Sequence, residues 1–127
     1  MAQGAFATAI NCMDGRTQLP VIEWLKAAYG VDFVDSVTEP GPVKILSEAC
    51  DSPAAKSILG RVAISVDKHG SKHIAVVGHH DCAGNPVDKS TQMKQIRSAE
   101  ATISSWGFEA EVVGLWVDED WQVHKVT

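Results

Sequence analysis

Residues 73–84 read His-Ile-Ala-Val-Val-Gly-His-His-Asp-Cys-Ala-Gly. A short apolar run, rich in β-branched residues and ending in a polar turn, is the pattern of a strand buried on both faces of a parallel sheet. A strand is therefore expected over 73–78, with Gly78-His79-His80-Asp81-Cys82-Ala83-Gly84 as the loop that follows. Near the start, residues 5–11 (Ala-Phe-Ala-Thr-Ala-Ile-Asn) repeat the arrangement and run into Asn11-Cys12-Met13-Asp14-Gly15-Arg16.

Between and beyond these strands the spacing becomes helical. Thr17 is placed to cap a helix over 18–29, with Pro20 in its first turn, Leu19, Ile22, Leu25 and Tyr29 on one face, and Gly30 as its stop. Residues 31–37 suit a second strand, Glu39-Pro40-Gly41-Pro42 is a turn, and 43–50 fits neither period cleanly. Asp51 or Ser52, then Pro53, opens a helix that carries Ala55, Ile58, Leu59, Val62, Ala63 and Val66 and closes at Gly70. A further helix is expected over 88–106, with Met93, Ile96, Ile103 and Trp106 on one side. Residues 110–117 and 121–126 read as strands separated by Asp118-Glu119-Asp120. Strands alternating with helices imply an α/β fold with a parallel sheet and right-handed crossovers.

The 127 residues suit one domain, 1–127, without internal repeat or linker. A net charge of −5 without clustered Lys or Arg lacks the footprint of a nucleic-acid binder. No run approaches the roughly 20 apolar residues that span a bilayer, and the first ten residues read as strand and not as signal peptide, so the expected compartment is cytoplasmic. Three cysteines, at 12, 50 and 82, are too few and odd in number for a disulfide framework.

Chemistry concentrates in the two loops that follow strands. In doubly wound sheets such loops converge where neighbouring strands send their helices to opposite faces. If the strand order begins 2-1-3, Cys12 meets His79 and Cys82 there. Two thiolates and one imidazole match the donor preference of zinc, and three protein ligands leave a fourth position open, as in catalytic sites. Asp14 and Arg16 stand beside the first ligand. An Arg fork can hold a carboxylate bidentately and ionised, able only to accept hydrogen bonds. Asp14 would then orient a zinc-bound hydroxide, or swing onto the metal as a fourth ligand.

Cys12-x-Asp14-x-Arg16 followed much later by His79-x-x-Cys82 resembles the β-class carbonic anhydrases over nearly the whole chain; Val113-Gly114-Leu115-Trp116 is similar to that family's late strand. The resemblance implies a three-layer sheet of order 2-1-3-4 with a last antiparallel edge strand. It implies one Zn2+ per chain on Cys12, His79 and Cys82, with Asp14 and Arg16 as the catalytic dyad. The implied reaction is the reversible hydration of carbon dioxide to bicarbonate. A homodimer or larger homo-oligomer is implied, with a small-molecule substrate and no membrane or nucleic-acid partner. A family Gln that holds substrate finds its counterpart in Gln3. The departures are Ala83 directly after the second cysteine, with glycine delayed to Gly84, and Thr38-Glu39-Pro40-Gly41 in place of an Arg-Asn-Ala-Gly segment. They leave two alternatives open: a non-catalytic zinc protein on this scaffold, or a hydrolase of a related molecule such as carbonyl sulfide or carbon disulfide.

Plainer readings exist for each residue. Cys12 and Cys82 could be core fillers or a redox pair, and Asp14–Arg16 an ordinary loop ion pair. His80 is either solvated or a proton shuttle. Asp81 is a turn residue or a support for His79. Cys50 is expected as a buried filler, His69, His73 and His124 at the surface, and Trp24, Trp106, Trp116 and Trp121 as core or interface anchors.

Overall fold

The apolar run at His73 forms the strand at the middle of a five-stranded sheet. The structure, a computed structural model, describes residues 4–126. Its elements are β1 (Phe6–Cys12), α1 (Gln18–Tyr29), β2 (Phe33–Glu39), α2 (Pro42–Glu48), α3 (Pro53–His69), β3 (His73–His79), α4 (Lys89–Ser104), β4 (Glu111–Val117) and β5 (Val123–Lys125). The sheet order is β2-β1-β3-β4-β5. The first four strands are parallel, and β5 closes the edge antiparallel to β4.

Alternation along each strand builds the layers. Ile74 and Val76 of β3 and Ile10 of β1 face Leu46, Ile58, Val62, Ile96 and Ile103 from α2, α3 and α4. Ala75 and Val77 face the other way, onto Val21 and Leu25 of α1. Each such fully buried aliphatic side chain contributes about 1.5–3 kcal/mol relative to exposure. Since α1 leaves β1 on one face and α4 leaves β3 on the other, the switch point lies between β1 and β3. Among the described residues no helix is long and apolar enough to cross a membrane.

Several elements differ from the sequence expectation for local reasons. The ambiguous stretch after Pro42 is a helix. Its seven residues are too few to stand alone, and tertiary contact decides: Val43 and Leu46 are buried, and Thr102 Oγ1 donates to the Leu46 carbonyl at 2.9 Å. Strand β2 begins two residues late because Asp32 is engaged with Ala5: its carboxylate accepts from Ala5 N–H and its own N–H donates to Ala5 O. The buried face of α1 is Val21 and Leu25, while Leu19 is 67% exposed. Thr17 makes no side-chain cap; its hydroxyl donates to the Asp14 carbonyl instead. Strand β5 keeps three residues because the turn consumes 118–122. Ser52 and Asp88 do cap α3 and α4, accepting from Ala55 N–H and Thr91 N–H.

One close approach of backbone to backbone fixes the end of the sheet that carries the loops. A Cβ on Gly84 would lie 2.6 Å from the Pro40 carbonyl carbon and 2.9 Å from Gly41 N. Gly41, at φ +62°, meets Gly84 from the other side. The loop after Cys82 therefore rests on the β2–α2 turn. A Cβ on Gly60, inside α3, would meet nothing within 4 Å. Gly84→Ala should lower stability by about 1–3 kcal/mol through overpacking, whereas Gly60→Ala should raise it by about 1 kcal/mol through helix propensity. Urea unfolding of the two variants checks the contrast, and equal effects would mean that the loop can move off the turn.

Candidate metal centre

The two halves of the sequence signature meet at the carboxyl edge of the sheet. Cys12 is the last residue of β1 and His79 the last of β3, on neighbouring parallel strands. Cys82 returns to them three residues later, the chain having reversed through Asp81 at φ +57°. The ligand atoms of Cys12, His79 and Cys82 all lie within 4.8 Å of one another, and the two sulfurs are 3.8 Å apart. The three residues are only 3%, 1% and 5% exposed.

The surroundings prepare this group to give electron pairs. His79 Nδ1 lies 2.7 Å from the His80 carbonyl, which can only accept, so Nδ1 carries the proton. That leaves Nε2 buried and without a hydrogen-bond partner among the described residues. An orphaned buried nitrogen is costly unless something takes its lone pair. The backbone of Gly41 and Asp14 favours the Cys12 thiolate, and that of Gly84 and Asn85 the Cys82 thiolate. The hydrogen bond between the two sulfurs holds the Cys12 thiol well below its usual range, against the effect of burial. The same bond, with burial, pushes Cys82 up. The two sulfurs, 3.8 Å apart, thus differ in how readily each gives up its proton. The residues thus fit a metal ion with a preference for sulfur and nitrogen donors.

Beside the trio sits a clamped carboxylate. Arg16 Nη2 donates to Asp14 Oδ2 at 2.7 Å, Nε donates to Oδ1 at 3.0 Å, and the Arg16 backbone N–H donates to Oδ1 at 2.9 Å. This fork holds the Asp14 pKa at about 2, so the group is ionised at neutral pH. The far side of the guanidinium donates to the Asp81 carbonyl at 3.2 Å and to Asp81 Oδ2 at 3.4 Å, and its carbon lies 4.4 Å from the centroid of the Trp121 ring.

Of the residues singled out in the sequence, Cys12, Asp14, Arg16, His79 and Cys82 are brought together. His80 contributes through its backbone: the carbonyl orients His79, the N–H donates to Val117 O, and the side chain is exposed. Asp81 does not support the His79 ring; it serves Arg16. Gln3 lies outside the described residues. Cys50 is exposed, not buried, and His69 and His73 are half-buried, the first against Asp35 and the second stacked on Tyr29. Sequence reasoning passed over three amides. Gln18 Nε2 donates to the Cys12 carbonyl at 2.6 Å, Asn11 Oδ1 accepts from Cys12 N–H at 2.9 Å, and Gln92 brackets the His79 backbone, accepting from its N–H at 3.2 Å and donating to its carbonyl at 2.8 Å. Gln92 carried a usable signal, a polar residue one turn before Ile96 on the apolar side of its helix. One other close trio occurs among the described residues, the carboxylates Asp118, Glu119 and Asp120, of which Glu119 and Asp120 are exposed. Asp118 there is engaged in its own turn.

Comparison with known proteins bears on the fold and the family. No curated protein matches the chain. Two solved structures share its fold at low identity. One is a tetrameric β-carbonic anhydrase of the filamentous ascomycete Sordaria macrospora, with 16% identity, a TM-score of 0.57, and 98% of this chain and 81% of that one covered. The other is the β-carbonic anhydrase CafA of Aspergillus fumigatus, with 16% identity, a TM-score of 0.53, and coverage of 97% and 76%. A protein-family model described as "Putative carbonic anhydrase" matches residues 2–127, so this chain belongs to that carbonic anhydrase family.

Proposed function

We propose that the chain is a zinc-dependent lyase that interconverts carbon dioxide and bicarbonate, with Cys12, His79 and Cys82 holding the ion. The observation that carries this reading is the convergence of His79, its buried Nε2 without a hydrogen-bond partner among the described residues, with the sulfurs of Cys12 and Cys82, the three ligand atoms lying within 4.8 Å of one another. When bound, zinc supplies a Lewis acid that makes a water at its open position acidic enough to react near neutral pH.

The chain's own residues supply orientation. Asp14 is an ionised acceptor beside the trio, and Arg16 keeps it so. A nucleophile that donates its hydrogen to Asp14 has its lone pair turned away from the carboxylate, toward an incoming electrophile. Gln18 and Thr17, both donating to the Asp14 carbonyl, fix the loop that carries Asp14. Gln92 fixes the His79 backbone from α4. His80, exposed to solvent, would pass the released proton on, and the substrate-holding role that the resemblance gives Gln3 belongs to the same proposal.

Self-association and a reducing compartment belong to the same reading. Met13, in the loop after β1, and Leu19, in the first turn of α1, flank the dyad in sequence and are 64% and 67% exposed, apolar surface that a second copy of the chain would cover. The Sordaria macrospora relative is described as tetrameric. None of the three cysteines is in a disulfide, which fits a reducing compartment such as the cytoplasm.

Two variants separate metal binding from catalysis. Cys82→Ser should reduce bound zinc from about one ion per chain to a small fraction and lower Tm, because metal binding is coupled to folding. Metal analysis and a thermal melt with and without chelator check this; full zinc occupancy in the variant would remove Cys82 from the ligand set. Asp14→Asn should keep zinc while stopped-flow carbon dioxide hydration falls about 100-fold or more, the loss expected when an orienting acceptor is neutralised. Undiminished hydration would rule out the role given to Asp14. Zinc-loaded wild type that hydrates nothing at any pH would instead support a non-catalytic zinc protein on this scaffold.

A further inference from the structure

Among the described residues two non-glycine residues have positive φ, Asp81 at 57° and Trp121 at 60°. They lie 40 positions apart, on different loops, and both touch Arg16. Asp81 is a residue type that tolerates the left-handed region; a bulky Trp there is an outlier.

The turn between β4 and β5 explains the backbone. Asp118 N–H donates to Gln122 O, and Trp121 N–H donates to Asp118 O. The Asp118 carboxylate accepts from the N–H groups of Asp120 and Gln122 and from His124 Nε2. A hairpin connection of this kind needs one left-handed residue before the second strand, and glycine or asparagine is the unstrained choice. The turn accounts for the conformation at position 121 but not for the presence of Trp. What Trp121 does there is lie against the Arg16 guanidinium, 4.4 Å from ring centroid to Cζ. The ring also packs against the apolar layer beneath α1.

Arg16 needs such a partner. Its side chain is 45% exposed, and an exposed ion pair of this kind is worth little and moves readily. The guanidinium is planar and donates from its edges, here twice to Asp14 and twice to Asp81. Those bonds leave rotation out of that plane unchecked, and a stacked ring blocks it by occupying a face. Strained residues that converge on one side chain are the mark of a site kept in a fixed arrangement.

We infer that Trp121, supported by the Asp81 turn, is a positioning residue that locks Arg16 and through it aims the Asp14 carboxylate. The inference rests on the function proposed above for its catalytic consequence; its structural content does not. Trp121 acts only through Arg16, and any aromatic ring in its place retains the face.

The test compares Trp121→Phe with Trp121→Leu. Both keep the backbone strain and an apolar side chain; only Phe keeps a π face. The direct readout is the Arg16 Nε–H resonance in 15N NMR spectra of the zinc-loaded protein. Wild type and Trp121→Phe should show it slowly exchanging with solvent and shifted by the ring current, while in Trp121→Leu it should exchange at least about tenfold faster and return toward the random-coil shift. In hydration kinetics Trp121→Leu should lose about tenfold in kcat with KM and zinc content unchanged, and Trp121→Phe should stay within about twofold. Phe and Leu variants that behave alike, or an Arg16 signal that follows Tm and not the ring, would overturn the inference. A wild type without hydration activity would defeat the proposed reaction, and the NMR comparison would still decide whether Trp121 locks Arg16.

Discussion

The parallel pairing of β1 with β3 is the constraint on which the site depends. These strands are distant in sequence, and only their adjacency places Cys12 beside His79 at one edge of the sheet. The pairing is buried from both sides, by α1 below and by α2, α3 and α4 above, so its cost in chain entropy is met by two apolar layers. Everything chemical is then a matter of the few residues after each strand. Asp81 reverses one loop so that Cys82 comes back toward His79, and Gly84 lets that loop rest on the Pro40–Gly41 turn.

The charge pattern follows from this closeness. Two sulfurs 3.8 Å apart cannot both be anions without a cation between them, and the backbone around them offsets only part of the repulsion. The His79 tautomer, fixed by the His80 carbonyl, turns a lone pair into the same space. Asp14 lies outside this trio, its carboxylate held by the Arg16 fork. A hard oxygen-seeking cation would find the donor set poor; a borderline one would find it complete but for one position.

Much of this was legible in residue order alone. The strands ending in Cys12 and His79 showed as apolar runs, because a strand buried on both faces leaves little ambiguity, and the spacing Cys-x-Asp-x-Arg with His-x-x-Cys picked out residues that the fold brings together. What the sequence did not reveal depends on three-dimensional context. Helix α2 is decided by packing on α4, not by its own period. The face of α1 is set by which side chains reach the sheet, which kept Leu25 buried as expected but brought in Val21 and left Leu19 exposed and Ile22 half-buried. Gln18, Asn11 and Gln92 act by reaching backbone groups whose positions no spacing rule gives. Trp121 was readable only as an anchor, since its strain and its contact with Arg16 exist only once the β4–β5 turn is folded.

The central claim is that two sulfurs and one imidazole nitrogen grip a single zinc ion. Zinc K-edge X-ray absorption on the purified protein tests it most directly. The account predicts two sulfur scatterers at about 2.3 Å, one imidazole nitrogen at about 2.0 Å and one further light atom. A protein that carries no zinc after refolding in its presence, or a shell of oxygen and nitrogen without sulfur, would contradict it.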